Sequence, residues 1–222
     1  MPDAQSSPWQ GRRRWKRTLD LAVLCISAPI VLPVTGLVAL AVLLTLGRPV
    51  LFRQLRPGFR ERPFLLLKFR TMRSATRPDG TQRPDGERLT HAGALLRRAS
   101  LDELPTLINV FRGEMSLVGP RPLLMRYLPW FTDQERLRFS VPPGITGLAQ
   151  INGRNLTSWT ERLAQDVAYV EAWSLTMDCR ILLRTIPAVL GGKGVVPDAQ
   201  SAMPDLDQER TGFHRLPEAS SG

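Results

Sequence analysis

The sequence predicts a mixed, helix-rich α/β domain joined to an N-terminal re-entrant membrane helix that breaks at proline. Three observations point there. Residues 21–46 form an apolar run without a single charge. Basic clusters stand on both sides of it. After it come two short strand patterns, followed by several stretches of helical spacing.

The anchor comes first. Its 26 uncharged residues exceed the roughly 20 that a helix needs to cross a bilayer. Arg12, Arg13, Arg14, Lys16 and Arg17 precede it, and Arg48, Arg53, Arg56, Arg60 and Arg62 follow it. Basic flanks favour the cytoplasmic side. With both ends basic, the segment enters and leaves at one face and must turn inside the membrane. Pro29 and Pro33 mark the turn, since proline removes a backbone donor and clashes with the carbonyl four residues earlier. A kinked spanning helix stays open as an alternative, because membrane helices accept proline where neighbours satisfy the freed carbonyl. A secretory signal fits less well, its apolar region being about 7–15 residues long.

On this reading the chain divides into four parts. Residues 1–14 are a basic lead-in lying against anionic lipid. Residues 15–47 are the re-entrant helix, and residues 48–190 are a cytoplasmic domain. Residues 191–222, rich in Gly, Pro and Ser, are a loosely ordered tail.

Within the domain, residues 50–52 and 63–69 read as strands, with Arg56-Pro57-Gly58 as a turn between them. Residues 74–87 are a polar loop carrying Arg-Pro-Asp-Gly twice. Helical spacing runs over 89–98 and 101–112, interrupted near Ser100. Gly119-Pro120-Arg121-Pro122 is a rigid turn and 132–138 a helix. Residues 142–155 are loop-rich. Residues 156–173 and 179–190 return to helical spacing.

Composition narrows the chemistry. The net charge of +10 over 222 residues calls for anionic partners, namely phospholipid headgroups, phosphorylated small molecules or nucleic acid. There is no helix-turn-helix, zinc-finger or RNP-like pattern, so nucleic acid is not expected. Cys25 and Cys179 are too isolated for a disulfide framework or a zinc site, and His91 and His214 form no cluster. Any metal would be a hard cation such as magnesium, held by carboxylates and substrate phosphates.

Ser100-Leu101-Asp102-Glu103 precedes an apolar helical stretch and has two readings. One is structural: a capping box, with Ser100 as cap and Glu103 reaching back to it. The other is chemical. Adjacent carboxylates at a helix N-terminus are stabilised as anions by free amides and the dipole. Asp102 could then attack phosphorus while Glu103 holds magnesium. Cations stand beside glycine and proline turns at Arg97, Arg112, Arg121 and Arg154-Asn155, and Lys68 and Arg70 end an apolar strand. Arginine forks match phosphate oxygens two at a time, so several of them converging would make a diphosphate site.

In order, these segments resemble the bacterial sugar transferases, the monotopic polyprenyl-phosphate phosphoglycosyl transferases. The matching stretches are Lys16-Arg17 with Asp20, the membrane run, and Val50-Leu51-Phe52 leading to Arg56-Pro57-Gly58. Lys68-Phe69-Arg70-Thr71-Met72, Ser100 to Pro105 and Asn109 to Gly113 follow. Met115 to Pro122 and then Pro143-Gly144-Ile145-Thr146-Gly147 through Asn155 complete the series. The resemblance covers roughly residues 15–190. Its chain length resembles the minimal members of the family, several of which use UDP-linked N-acetylated or diamino sugars.

The resemblance implies a reaction: a UDP-sugar donor is split between its phosphates, UMP leaves, and the sugar 1-phosphate passes to undecaprenyl phosphate. An aspartyl-phosphosugar intermediate and magnesium (Mg2+) belong to that implication. Asp102 matches the nucleophile and Glu103 its metal-binding or orienting partner. Lys68, Arg97, Arg121 and Arg154 match basic site positions, and Asp166 and Asp178 match acidic C-terminal ones. Arg112 and Asn155 are further substrate-binding or structural candidates. The setting implied is the cytoplasmic face of a bacterial inner membrane, at the first membrane step of polysaccharide or glycoprotein assembly. Membrane lipid is a partner, and a homodimer is compatible with the resemblance. Two positions depart from the family pattern: Leu32 stands where a Ser usually precedes the bend proline, and Pro142 where an Arg usually precedes Pro143. The rival reading is a non-catalytic membrane-surface scaffold that binds anionic lipid or assembly partners.

Overall fold

The computed structural model describes residues 8–76, 81–82, 84–152, 158–190 and 205–214. Helix α1 (Pro8–Leu46) is 39 residues long and contains both Pro29 and Pro33. In an α-helix those two prolines would have donated to the carbonyls of Cys25 and Pro29. The chain nonetheless stays helical on both sides of each proline. The break expected there is therefore absent as an interruption of helix. Nearby hydroxyls fold back onto the helix instead, Ser27 donating to Val23 O (2.8 Å) and Thr35 to Val31 O (2.7 Å). Pro8 opens the helix well before the expected start at residue 15, a position where the missing amide proton costs nothing.

α1 is long and apolar enough to cross a membrane. Its middle faces outward, with Ile26 80% and Ile30 73% exposed, a surface suited to lipid rather than water. Both of its ends, however, dock on the same globular body. Near the N-terminal end, Lys16 Nζ meets Asp178 Oδ2 at 2.6 Å, and Asp20 Oδ1 accepts from Ser116 Oγ and the Leu117 amide (3.1 Å each). Arg17 donates to the carbonyls of Val110 and Phe111. Near the C-terminal end, Val38 and Val42 pack on Phe69, with Leu51, Leu96, Leu101 and Leu104 around them. Arg70 caps the helix by donating to the Leu46 and Arg48 carbonyls.

Strands β1 (Leu51–Pro57) and β2 (Pro63–Phe69) form an antiparallel hairpin, in register from Leu51↔Phe69 to Pro57↔Pro63. β1 runs further than residues 50–52. Among the described residues no strand lies along the other edge of β2. Side chains satisfy it instead: Asn109, fully buried, accepts from the Leu67 amide (3.0 Å) and donates to Leu65 O (2.7 Å), and Thr106 donates to Leu67 O (2.8 Å). A buried backbone edge must find such partners. Here they come from one helix, which holds both Thr106 and Asn109.

The 74–87 segment carries one short helical turn, α2 (Asp85–Arg88), in its described part. Helix α3 (His91–Arg98) follows, then α4 (Thr106–Arg112). Strands β3 (Ser116–Val118) and β4 (Gly144–Thr146) pair in parallel, so the segment expected to be loop contributes a strand. The chains cross so closely there that a Cβ on Gly144 would lie 2.1 Å from the Gly119 amide nitrogen. Helices α5 (Leu148–Asn152), α6 (Trp159–Glu171) and α7 (Leu175–Leu190) close the main core around Phe64, Val110, Val118, Tyr169, Trp173 and Ile181.

The helix expected at 132–138 is instead a 3-10 segment, Glu135–Ser140, preceded by another at Met125–Trp130. Tyr127, Phe131, Phe139 and Trp159 form a second core there. The tail is not wholly loose. Helix α8 (Leu206–His214) buries Leu206 completely in that second core, and Arg210 forks onto Glu135 (2.5 and 2.9 Å). One fully buried leucine and one two-point ion pair outweigh the polar composition of the segment.

Candidate active site

The site is built at the corner between α3 and α4. Gly93 lets α3 lie directly on the chain leaving β2: a Cβ there would sit 2.0 Å from Thr71 O. At the end of α3, Ser100 takes a left-handed backbone (φ 55°) that reverses the chain into a 3-10 turn, Leu101–Glu103. The capping box expected at Ser100 does not form. An N-cap needs an extended backbone, which the left-handed Ser100 lacks, and the Ser100 side chain makes no cap bond. Glu103 has other partners. A capping box does occur at Ser158 and Glu161, opening α6.

Glu103 Oε1 accepts from Lys68 Nζ and from Arg121 Nη2, both at 2.6 Å. Burial works against its charge, but Arg121 and Lys68 more than offset this and hold Glu103 well below the usual carboxylate range. Asp102 differs. It is 8% exposed and has no hydrogen bond among the described residues. Burial pushes its pKa up, with Lys68 opposing and Glu103 reinforcing the rise. One carboxylate is locked as an anion. Its neighbour has no such partners.

A cavity of about 920 Å³ opens over this pair. Lys68, Arg97 and Arg121 line it, as the sequence suggested, and Arg97 Nε is fixed by Thr71 Oγ1 at 3.0 Å. Asp166 lies behind Arg121: Arg138 links them, bonding Asp166 Oδ2 (2.7 Å) and Arg121 O (2.7 Å). Asp178 is elsewhere. Completely buried, it accepts from Lys16, Tyr169 (2.8 Å) and Trp173 (3.2 Å) and ties α1 to α7. Arg112 is exposed at the far end of α4 from the dyad. Arg154 and Asn155 lie outside the described residues.

Sequence reasoning passed over Arg56, Arg162 and Gln150, all of which line the cavity. Burial first, and the like charge of Arg121 second, lower Arg56 to about 10. The same two causes lower Arg162. Arg56 was readable as the cation of Arg-Pro-Gly. Arg162 is one cation on an amphipathic helix, and Gln150 carries no charge to draw notice.

The donor set suits magnesium. No group of three or more His, Cys, Asp or Glu gathers among the described residues, as zinc would require. Magnesium is commonly held by one or two carboxylates together with substrate phosphates and water, and Asp102 with the second oxygen of Glu103 provides that number.

Residues 11–192 match the model of a family described as bacterial sugar transferase. The chain is 46% identical over 184 residues to an uncharacterized sugar transferase, EpsL, of Bacillus subtilis, covering 83% of this chain and 89% of that protein. It is 42% identical over 185 residues to a UDP-glucose:undecaprenyl-phosphate glucose-1-phosphate transferase of Caulobacter vibrioides (79% and 69%). To the exopolysaccharide production protein ExoY of Rhizobium meliloti it is 36% identical over 196 residues (81% and 87%).

Proposed function

The chain belongs to the bacterial sugar transferase family, and on that premise we propose that it moves a sugar 1-phosphate from a UDP-sugar to undecaprenyl phosphate. The observation that carries this reading is the asymmetry of the dyad: an Asp102 with no hydrogen bond among the described residues beside a Glu103 pinned by Lys68 and Arg121.

In the first step an Asp102 oxygen forms a bond to the sugar-bearing phosphorus. The bond from that phosphorus to the bridging oxygen breaks, and UMP departs with the electron pair. In the second step an oxygen of undecaprenyl phosphate bonds to the same phosphorus and the Asp102–phosphorus bond breaks, regenerating the carboxylate. Phosphoryl transfer of this kind depends mostly on positioning and charge neutralisation. Lys68, Arg97 and Arg121 supply both around the dyad. Magnesium, held by Glu103 and Asp102, would add neutralising charge at the diphosphate.

The membrane geometry supports the same reading. Because both ends of α1 contact one globular body, a straight crossing would have to split that body between two faces. A re-entrant path, bent at Pro29 and Pro33, keeps the domain on the cytoplasmic side with the cavity near headgroup height. Several relatives are named for UDP-glucose, which makes it the first donor to try.

The test is UMP release by the purified full-length protein in detergent with magnesium, undecaprenyl phosphate and UDP-glucose or other UDP-sugars. Multiple-turnover release that requires the lipid and is abolished in Asp102→Asn supports the reaction. Unchanged release in that variant would remove Asp102 as nucleophile and the two-step mechanism with it.

A further inference from the structure

We infer that Arg56 and Arg162, with the Gln150 amide beside them, form a second anion station that holds the phosphate of the departing nucleotide. This rests on the reaction proposed above and assigns residues to its leaving group.

The hairpin serves as a ruler. Its Leu51–Phe69 end packs under Val38 and Val42 of α1, and Arg70 bonds the end of that helix. Lys68 pairs with Phe52 at this end, whereas Arg56 pairs with Phe64 near the other. Four residues separate Phe52 from Arg56, about 13 Å along a strand. Phe52, Gln54 and Arg56 share one face of β1, since strand side chains alternate, and all three line the cavity. The cavity therefore runs from a station near α1, with Lys68, Arg97 and the dyad, to one farther from it. Arg162, from α6, lines the same cavity, and Arg121 is the charged neighbour that Arg56 and Arg162 share.

The two stations differ in their carboxylates. Asp102 and Glu103 stand among Lys68, Arg97 and Arg121, and Glu103 pairs with two of these. Arg56 and Arg162 make no ion pair within 4.0 Å among the described residues. Arg56 donates to Gln54 Oε1 (2.6 Å) and Pro122 O (3.3 Å), and its Nε is buried without a partner. Arg162 stacks on Trp159 with its guanidinium 4.8 Å from the ring centroid. Both polar atoms of the Gln150 side chain are buried and unpartnered. Unpaired buried donors and uncompensated cations are costly, and an anionic ligand relieves both. A phosphate monoester carries about −1.5 to −2 charges at neutral pH, close in size to the charge of Arg56 and Arg162, which have no ion-pair partner within 4.0 Å among the described residues, though Asp166 partly offsets Arg162. An undecaprenyl phosphate is tethered to lipid and so fits the station near α1. The soluble nucleotide fits the far one, with Gln150 free to bond its remaining polar groups.

The experiment measures UMP affinity and the KM for undecaprenyl phosphate in the full-length protein, for wild type, Arg56→Met, Arg162→Met and Arg162→Lys. Each Met variant is expected to bind UMP about tenfold more weakly or worse, with the acceptor KM within about twofold. The Lys variant, which keeps the charge, should stay closer to wild type. Unchanged UMP affinity, or a rise in acceptor KM instead, would overturn the assignment. A measurement independent of variant folding is phenylglyoxal modification of wild type, mapped by mass spectrometry. UMP should protect Arg56 and Arg162, and equal modification with and without UMP would count against the station. Wild type that releases UMP but fails these tests loses only the station. Wild type that neither binds nor releases UMP loses the proposed reaction as well.

Discussion

Asp102 and Glu103 are neighbours in one 3-10 turn, yet Glu103 receives both Lys68 and Arg121 at 2.6 Å while Asp102 receives no hydrogen bond among the described residues. The left-handed Ser100 makes this possible by turning the pair toward β2 rather than along α4. Asn109 and Thr106 then lock α4 to the edge of β2, so Lys68 cannot move independently of the turn it contacts. The positions of the reactive groups are thus set by buried hydrogen bonds on rigid elements.

The two carboxylates should respond differently to substitution. Asp102→Asn is expected to eliminate UMP release, because the adjoining carboxylate, Glu103, is held by Lys68 and Arg121. Glu103→Gln keeps the nucleophile and loses the shared anion of Lys68 and Arg121. Its rate should fall by about 10²–10³, the scale typical of a lost electrostatic contact in the transition state. Rapid-quench measurement of UMP separates the two: a slow but complete first turnover in Glu103→Gln, none in Asp102→Asn.

Asp102 must be ionised to attack, and burial raises its pKa. The acid limb of kcat/KM should therefore fall above the ordinary aspartate value of about 3.9. Lys68→Met, which removes the leading opposing charge, should shift the limb further up. The linkage runs the other way for stability. A carboxyl whose pKa is raised on folding contributes stability below its unfolded pKa, and that contribution is lost as pH rises through the folded value. At neutral pH, Asp102→Asn should consequently melt at or above the wild-type temperature. A lower melting temperature would contradict the strained-anion description of Asp102.

Where one period or one motif decides structure, the sequence is legible. The 21–46 run, the 63–69 strand and the helices after residue 156 follow from apolar spacing alone. Lys68, Arg97, Arg121 and the dyad stand out because they sit beside turns. The capping box misleads because its spacing is shared with a turn whose backbone Ser100 alone reverses. β4 is short and its pairing partner is distant in sequence, so no local pattern marks it. Arg162 and Gln150 acquire their meaning only when α5 and α6 bring them to the cavity that β1 also lines. For α8, the decisive feature is one leucine meeting a core contributed by distant segments.

Gly93 offers a test of positioning at a distance from the chemistry. A methyl group there would meet Thr71 O at 2.0 Å, a backbone atom that cannot swing aside. Gly93→Ala should push α3 away from Thr71 and loosen the Thr71–Arg97 hydrogen bond. Overpacking of this sort costs about 1–3 kcal/mol. The melting temperature should fall, and kcat should fall further than for an exposed Ala substitution such as Arg98→Ala on the same helix. Equal activities would show that the α3–Thr71 contact does not position Arg97.

The path of α1 can be read by chemical labelling. Its two ends bind the same domain, Asp20 to Ser116 and Val42 beside Phe69. Single cysteines at Ser7 and Ser74, in a background with Cys25 and Cys179 replaced by Ala, should both react with an impermeant maleimide from the same side of sealed vesicles. Reaction from opposite sides would require a spanning helix and exclude the re-entrant path.

Lys16 and Asp178 hold the anchor to the domain through a pair whose side chains are 1% and 0% exposed. Removing one partner of a buried pair leaves the other charge without compensation, at a cost of about 3–5 kcal/mol. Lys16→Met should therefore lower the melting temperature sharply, since Asp178 would keep only Tyr169 and Trp173 as donors. Removing the second charge should recover part of the loss. In Lys16→Met/Asp178→Asn, the amide oxygen can still accept from Tyr169 or Trp173, and the buried Asp20, which Lys16 also offsets, keeps Ser116 and the Leu117 amide as donors. A double variant more stable than Lys16→Met identifies the stranded carboxylate as the main cost. A double variant that is worse would assign Asp178 a stabilising role beyond its pairing with Lys16, in organising the Tyr169–Trp173 side of the core.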